Sequence, residues 1–335
     1  MDIELYINNG NISTKFEASA LCEGEITLTS QRRGSPASLN FNIARDIPQG
    51  DKINFAEGNN VSLIVNGYKM FSGYVFTKNR SKDHIIKVTA YDQLRYLNNK
   101  DTYVYSNLKA SDVLKNIASS FKLKIGDIED TKYVIDSRSE DNQPLFDIIL
   151  NALDLTLINT GKMFVLYDDF GSLALKSLEN MKLPLMLMSE DISLIDFNCK
   201  TDIDSDTYNR VKLYRDNEET KKRDVYQVDD SLSQAMWGIL QYYESVPDCY
   251  NSAQIIMLAE KILEIKNRIK QSLSIECTAV GIGEEQIRGG SGIMVKIDDI
   301  GESGINNWFA VEKCTHSFKN NEHTIKLDLT DWKVV

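Results

Sequence analysis

Apolar and polar residues alternate through much of residues 1–100, with the period of two that a half-buried strand shows. The runs 39–43 and 61–65 are the clearest, and the second leads directly into Asn66-Gly67. Asn-Gly is the strongest short hairpin signal, because both central positions of a type I′ turn need a positive φ. Several short strands in succession predict a small antiparallel barrel or sandwich in this part of the chain.

The period changes at Asp92. Residues 92–97 read as a single helical turn, and Asp92 is placed to cap the free N–H groups at its start. Spacings of three and four residues then predict two helices, one over 110–123 and one that begins behind Pro144. A hairpin with its turn at Asp168–Gly171 follows, so residues 101–185 are predicted to form a compact helix–helix–hairpin domain.

Residues 186–335 return to strands and are predicted to form a second barrel with one long helix. The predicted fold class is therefore α+β and β-rich, with two related antiparallel β-barrel domains, 1–100 and 186–335, flanking a small α+β domain at 101–185. The elements predicted in the last domain are strands at 209–214, from Val225, at 272–279 and at 293–297, a hairpin at 309–331, and a helix at 252–271.

Two stretches of the chain have almost the same sequence pattern. His84–Asp92 and His323–Asp331 both read His-x-Ile-Lys-(Val/Leu)-x-x-x-Asp, although they start 239 positions apart. Each follows a polar loop containing Lys-Asn and ends a predicted hairpin. When the two hairpins are aligned at these loops, Val75 and Thr77 fall on one apolar face of the first hairpin. Each of the two histidines is then predicted to lie at the end of a core that is nearest to the loop. One domain is therefore predicted to occur twice, which points to symmetry and assembly rather than to an active site.

The composition is that of an ordinary globular protein, 42% hydrophobic and 26% charged, and 335 residues predict two or three domains. With 38 basic and 49 acidic residues the net charge is −11, and no basic footprint for a nucleic-acid duplex is visible. The basic cluster Lys221–Arg223 lies among acidic residues and reads as a solvated loop. We expect no secretory leader, and no apolar run approaches the ~20 residues of a membrane span.

The cysteines predict neither a disulfide framework nor a zinc ribbon, because their number is odd and no Cys-x-x-Cys occurs. Buried free thiols in a reducing compartment are expected instead. Cys314, His316 and His323 share a predicted hairpin face, but apolar neighbours such as Phe318 crowd it, so a buried pair is favoured over a metal site. The five cysteines are Cys22, Cys199, Cys249, Cys277 and Cys314.

Patterns for catalysis and ligand binding are weak, and no catalytic, cofactor or metal residue is predicted. Adjacent carboxylates point to opposite faces of a strand, so no pair converges on one atom, although a hydrolase with carboxylates from separate segments stays open. Residues 281–286 begin like a dinucleotide fingerprint but lack its third glycine. The aromatic residues of 237–243 suit core or interface packing, with stacking on a sugar or base as the alternative. The adjacent carboxylates are Asp168-Asp169, Glu284-Glu285 and Asp298-Asp299.

The run Ser72–Val75, taken with Val88–Leu97, resembles the XkdQ/YqbQ family. These are baseplate hub proteins of contractile phage tails and of defective-prophage or bacteriocin particles in Gram-positive bacteria. The helix at Ala110–Leu123 and the closing Cys314–Leu327 segment are similar too. Order and spacing carry the resemblance, which covers nearly the whole chain apart from 182–198.

The resemblance implies a non-enzymatic central hub, like the late control gene D hubs. Such a protein carries two tube-type β-barrel domains, forms a homotrimer, and presents a pseudo-sixfold ring that adapts the sixfold tail tube to the threefold spike. The implied partners are further copies of the chain, the tail tube protein, the spike protein and other baseplate proteins, without specific nucleic-acid binding or membrane insertion. The implied location is the baseplate of a virion or phage-tail-like particle, made in the bacterial cytoplasm. A tail-associated cell-wall hydrolase and a carbohydrate-binding module are the competing functions.

Overall fold

The computed structural model describes residues 1–8, 15–44, 55–80, 82, 84–188, 194–217, 221–246, 251–279, 283–297 and 304–332. The chain divides into two compact units. The first holds Met1–Asn198 and Leu273–Lys333, and the second holds Cys199–Ser272. The second unit is therefore an insertion in the sequence of the first, while the domain boundaries near residues 100 and 185 remain predictions.

Strands dominate the secondary structure, with four α-helices among the described residues. The strands are β1 (Ile3–Asn8), β2 (Lys15–Glu17), β3 (Ile26–Gln31), β4 (Ser38–Ala44), β5 (Asn60–Val65), β6 (Tyr68–Arg80), β7 (Ile85–Tyr91), β8 (Lys100–Lys109), β9 (Ile125–Ile128), β10 (Val134–Pro144), β11 (Phe164–Asp168), β12 (Leu173–Ser177), β13 (Lys182–Met188), β14 (Leu194–Asp202), β15 (Arg210–Asn217), β16 (Lys222–Asp229), β17 (Gln241–Ser245), β18 (Lys270–Thr278), β19 (Gly292–Ile297), β20 (Ile305–Lys319) and β21 (Glu322–Asp331). The helices are α1 (Ala110–Ser120), α2 (Leu145–Thr160), α3 (Ser231–Trp237) and α4 (Ser252–Lys266). None of them is long and apolar enough to cross a membrane.

One sheet of 13 strands organises the fold, in the order β14-β18-β21-β20-β3-β4-β7-β6-β5-β1-β2, with β13 and β19 joined beside β20. The β-rich α+β class is as predicted. Neither predicted barrel is closed among the described residues, because β3 pairs with β4 on one side and with β20 on the other. Strands of both predicted barrels therefore lie in one sheet, while β15, β16 and β17 of the predicted second barrel form a separate sheet.

Local signals near residue 66 and residue 92 form as predicted. Asn66 and Gly67 have φ values of 50° and 77° and join β5 to β6. The N–H of Asp2 donates to the side-chain oxygen of Asn66 at 3.0 Å. The carboxylate of Asp92 accepts the Leu94 N–H at 3.0 Å and caps a 3-10 turn that follows β7.

Residues 100–181 contain the predicted two helices and hairpin, together with a ribbon that was not predicted. The hairpin forms as β11 and β12, and α1 ends at Ser120 rather than near residue 123. The ribbon is β8 paired with β10. Its residues are mostly exposed, as at Val104 with 69% exposure, so they lack the apolar alternation by which strands are recognised in a sequence.

The second unit is a three-stranded sheet, β16-β15-β17, with α4 on one face. Ile255 and Ala259 of α4 are fully buried against Val211 and Leu213 of β15. The predicted helix 252–271 ends at Lys266. The basic cluster Lys221–Arg223, predicted to be a loop, lies mostly in β16, and the surrounding polar stretch 215–224 is largely the ends of β15 and β16. Paired charges at these strand ends, such as Arg223 with Asp216 at 2.9 Å, account for the polar sequence.

Two predicted placements in the first hairpin are wrong. His84 is exposed with φ 58° and precedes β7, so it does not lie at the end of a core. Thr77 is exposed because the register of β6 shifts between Val75 and Thr77. The extra residue at this β-bulge turns Lys78 toward the core side opposite Val88, where its ammonium reaches the Phe55 carbonyl at 2.7 Å.

Candidate assembly edges and the buried junction

The two hairpins that end in the repeated sequence have the same register. Val75 pairs with Ala90 and Thr77 with Thr89, and in the second hairpin Val311 pairs with Leu329 and Lys313 with Asp328. A β-bulge therefore interrupts both hairpins at the same place, at Phe76 and at Glu312. A shared bulge is strong support for the predicted duplication, because an unpaired extra residue is a specific local feature. The predicted equivalence of the two histidines fails, because His84 is exposed and His323 is buried.

The duplication extends to five strands. Over Asn60–Leu63, β5 pairs with β6 in the register in which β19 pairs with β20, so that Val61 opposite Gly73 matches Ile293 opposite Phe309. Beyond Leu63 the register of β5 shifts, which has no counterpart in β19. The next strand also matches, since Thr89 bonds the side chain of Asn40 at 2.8 Å and Ser274 bonds Asp328 at 3.2 Å. Strands β3, β4, β5, β6 and β7 thus correspond in chain order to β14, β18, β19, β20 and β21. We call these two sets repeat 1 and repeat 2.

The repeats differ in what covers the outer half of their fourth strand, which is β6 in repeat 1 and β20 in repeat 2. In repeat 2, residues Lys313–Phe318 of β20 pair antiparallel with β3 of repeat 1. In repeat 1, the equivalent segment of β6, Thr77–Arg80, pairs with β7 alone among the described strands. At the opposite end of the sheet β14 has β18 as its one described neighbour. Among the described strands, β14 and the outer part of β6 are therefore two free edges, equivalent to β3 and β20, which pair with each other in the middle of the sheet.

A glycine-rich turn, Arg288–Gly292, joins three parts of the first unit. The Gly289 N–H bonds the Ser30 hydroxyl at 2.9 Å, and a Cβ at Gly289 would overlap the backbone of Gln31. Gly290 lies against Val165 of β11 and has φ 93°. The Arg288 guanidinium donates to the backbone carbonyl of Asp168 at 2.9 Å. Repeat 1, the β11–β12 hairpin and repeat 2 therefore meet at one short segment.

Two buried carboxylates lie at this junction. Asp92 accepts hydrogen bonds at both oxygens, from the N–H groups of Ala37 and Leu94. Asp168 accepts the Gly171 N–H at one oxygen, while its buried Oδ2 has no hydrogen-bond partner. Burial raises the pKa of Asp92 well above its ordinary value, and Asp168 adds to the effect. Burial likewise raises the pKa of Asp168 to about 6.

The cluster Cys314, His316 and His323 is buried, as predicted for a hairpin pair. His316 Nε2 lies 2.7 Å from the Ile287 carbonyl, which only accepts, so this nitrogen carries the proton. His316 Nδ1 must then accept from His323 Nε2 at 2.9 Å. Desolvation lowers the pKa of His316 to about 3 and that of His323 to about 4. The pair is a neutral packing element, and no three His, Cys, Asp or Glu side chains converge as a metal site in the described part of the chain.

The other candidate residues do not meet in one cleft. Tyr242 packs into the core of the second unit, whereas Tyr243 stacks on Tyr214 on the opposite face of the sheet, so the aromatic cluster is split. Asp168 is buried and Asp169 is exposed. Cys277 and Cys314 are buried free thiols, whereas Cys22 and Cys199 are free but only partly buried, so the expectation of buried thiols holds for two of the four described cysteines. Asp298-Asp299, Gly281-Ile282 and Cys249 lie outside the described residues.

Comparison with known families and sequences gives a consistent assignment. The sequence profile of the YQBQ-like family matches residues 26–330. The chain is 33% identical over 310 residues to phage-like element PBSX protein XkdQ of Bacillus subtilis strain 168, covering 91% of each. It is 31% identical over 308 residues to the uncharacterized protein YqbQ of the same strain, again covering 91% of each.

Solved structures with the same fold include tail proteins. The prophage MuSo2 43 kDa tail protein from Shewanella oneidensis matches with a TM-score of 0.73 and 12% identity, covering 99% of both chains. The E. coli c3393 protein, a type VI secretion component described as similar to T4 tail proteins gp27 and gp5, matches with a TM-score of 0.57 and 10% identity. That match covers 98% of this chain and 76% of the other.

Proposed function

The chain belongs to the YQBQ-like family, and on that premise we propose that it is a structural baseplate hub of a contractile phage tail or phage-tail-like particle. In this role it forms a homotrimer that adapts a sixfold tail tube to a threefold spike. The observation that carries the proposal is the internal repeat, in which five strands, one register and one bulge recur. Two repeats in each of three chains give six equivalent positions around one axis.

The free edges supply the contacts of such a ring. Within the chain, β3 of repeat 1 pairs antiparallel with β20 of repeat 2. The equivalent pairing would join β14, which corresponds to β3, to the free part of β6, which corresponds to β20. Both strands belong to one chain, but six other strands of the sheet lie between them, so the pairing is proposed to join two neighbouring copies. Three copies joined head to tail close the ring and cover both of these edges, which a stable assembly favours.

The remaining parts of the proposal concern partners. The hub contacts the tail tube protein on its sixfold side and the spike on its threefold side, with other baseplate proteins around it. It is proposed to work without catalysis and to reside in the baseplate of the particle. The fold shared with tail and type VI secretion proteins supports this placement.

Cysteine trapping tests the ring directly. The hydroxyls of Thr29 and Thr315 lie 3.2 Å apart across β3 and β20, and Asn79 is the repeat equivalent of Thr315. In a Cys199→Ser background, Asn79→Cys is combined with Asn198→Cys or Lys200→Cys on β14. We expect oxidation to give covalent dimers and trimers and no longer chains, with light scattering reporting a trimer before oxidation.

The matched control pairs Asn79→Cys with Val104→Cys, which is exposed on the β8–β10 ribbon and should not cross-link.

In a second experiment, the tube protein of the same particle is mixed with the wild type. A persistent monomer that joins neither the tube nor a second copy under any of these conditions would refute the hub proposal.

A further inference from the structure

Four aromatic rings and one arginine form a cluster on the outer face of repeat 1. Tyr74 and Tyr91 face each other across β6 and β7, on the side opposite the core residues Val75 and Ala90. Phe76, the bulge residue, meets Tyr91 edge-on with ring centroids 5.4 Å apart. The rings remain partly exposed, and none of them belongs to a described hydrophobic core.

The 3-10 turn capped by Asp92 supplies the rest of this aromatic cluster. It places Tyr96 5.9 Å from Phe76 and 6.2 Å from Tyr74, measured between ring centroids. It also lays the Arg95 guanidinium over the Phe76 ring, 5.5 Å from its centroid. No ion pair to Arg95 occurs among the described carboxylates. Tyrosine, phenylalanine and arginine are the residues enriched at the centres of protein interfaces.

The equivalent place in repeat 2 is covered by the chain that follows β3. Arg32, the first residue after β3, donates its N–H to the carbonyl of the bulge residue Glu312 at 2.8 Å. Its guanidinium also forms an ion pair with the Glu312 carboxylate at 2.8 Å. A bulge residue in repeat 2 is therefore held by an opposite charge from the end of the neighbouring strand.

The chain that follows β14 has the complementary charge for repeat 1. β14 ends at Asp202, and Ile203 and Asp204 follow it directly. Asp202 accepts the N–H of Ser205 at 2.9 Å and forms an ion pair with Lys200 of its own strand at 2.9 Å, so the turn is held in shape. Asp204 is exposed and is the carboxylate presented to a partner. Repeat 2 has a carboxylate at the bulge and an arginine just beyond β3. Repeat 1 has the Arg95 guanidinium stacked on the bulge residue Phe76, and β14 ends in carboxylates.

We infer that the cluster around Phe76 and Arg95 receives the acidic turn Asp202–Asp204 of a second copy of this chain. The inference rests on the proposed ring and adds to it the side-chain contact that sets the direction and register of the pairing. The ion pair is shielded by four aromatic rings, so it should contribute more than an exposed pair does. The ring contact would then be selective for a β14 that carries carboxylates at its end.

A charge swap tests the inference. Arg95→Glu and Asp204→Lys are each expected to weaken self-association at least tenfold in light scattering or sedimentation. The two variants mixed together are expected to recover part of the lost association, because a mixed ring of three has two matched contacts and one mismatched contact, whereas a ring of either variant alone has three mismatched contacts. The double variant R95E/D204K restores the opposite charges at every contact and should recover most of the lost affinity. Lys87→Glu, an exposed basic residue on the same strand pair, is the control and should leave association unchanged.

The outcomes separate this inference from the proposed function. If wild type forms a trimer and Arg95→Glu associates equally well, or if the double variant shows no recovery while remaining folded by circular dichroism, the inference is overturned and the ring stands. If wild type and all variants stay monomeric with and without the tube protein, the ring itself fails. A photo-reactive residue at position 96 gives an independent readout, because it should capture a peptide that contains 202–204. Capture of any other peptide overturns the inference.

Discussion

At the scale of single residues, the buried histidine pair and the buried Asp168 make the folding stability depend on pH in opposite directions. The folded protein keeps His316 and His323 neutral, with pKa values of about 3 and 4 against an ordinary 6.5. The unfolded chain therefore takes up more protons below pH 6.5, and stability from this pair is lost as the pH falls. Asp168 acts the other way, because its pKa of about 6 lies above the ordinary 3.8. Stability at Asp168 is fully present below pH 3.8 and is lost as the pH rises through 6.

The variant Asp168→Asn tests the contribution of Asp168 to the pH dependence of stability. Asparagine keeps an oxygen for the Gly171 N–H but does not ionise, so the variant lacks the loss of stability that the wild type suffers at neutral pH. The difference in unfolding free energy, variant minus wild type, should grow by roughly 1–3 kcal/mol between pH 4 and pH 7.5, since each pKa unit is worth about 1.4 kcal/mol. Urea unfolding at several pH values measures it.

Asp169→Asn is the matched control for this prediction, because Asp169 is adjacent in sequence but exposed. Its difference from wild type should change little over the same range. A flat difference for Asp168→Asn would mean that Asp168 is not held protonated by burial. The histidine pair is common to all three proteins, so its own pH dependence cancels in the comparison.

At the scale of elements, the sequence predicts what depends on neighbouring residues. Asn66-Gly67 and the Asp92 cap form as expected because their hydrogen bonds are local. The bulges at Phe76 and Glu312 have no such signal, and one unseen bulge was enough to misplace Thr77. The two hairpins still correspond to one another, because both contain the same bulge.

Long-range features lay beyond a single sequence. β13 pairs parallel with β19, and the Lys182 ammonium lies 4.6 Å from the ring centroid of Trp332. No local sequence pattern near Lys182 indicates that its contact is Trp332, 150 residues away. The aromatic cluster was present in the sequence only as the motif that carries the family resemblance. The sequence does not show that these side chains meet in space, because β6 and the turn after β7 are brought together by strand pairing.

The glycine-rich turn gives the prediction at this scale. Gly289→Ala should destabilise the protein by about 3 kcal/mol or more, because the new methyl group overlaps the backbone of β3 and no flexible side chain can yield. Gly58→Ala is the control, since Gly58 has φ 84° and open space around it, and should cost about 1 kcal/mol. Thermal unfolding of the two variants compares them. Equal losses would show that the junction at Gly289 is not tightly packed.

At the scale of the whole molecule, the repeat explains where the second unit comes from. In repeat 1 the strands β3 and β4 are joined by a short loop, residues 32–37. In repeat 2 the equivalent strands β14 and β18 are joined by the second unit. That unit has its own buried core, which includes Val211 and Ile255. An insertion with its own core at a hairpin tip is the arrangement expected to tolerate removal.

Excision of residues 208–266 tests this view of the molecule. The Tyr208 N–H donates to the Lys266 carbonyl at 3.2 Å, so the two cut ends are adjacent and two glycines can join them. We expect a soluble protein with one cooperative thermal transition within a few degrees of the wild type, and a far-UV spectrum that has lost the helical signal of α3 and α4. Val211→Asp in the full chain is the control, since a charge at a fully buried position should unfold the second unit and leave the main transition in place. Loss of the main transition in both proteins would show that the 13-stranded sheet depends on the second unit, and that the insertion has become part of the fold that carries it.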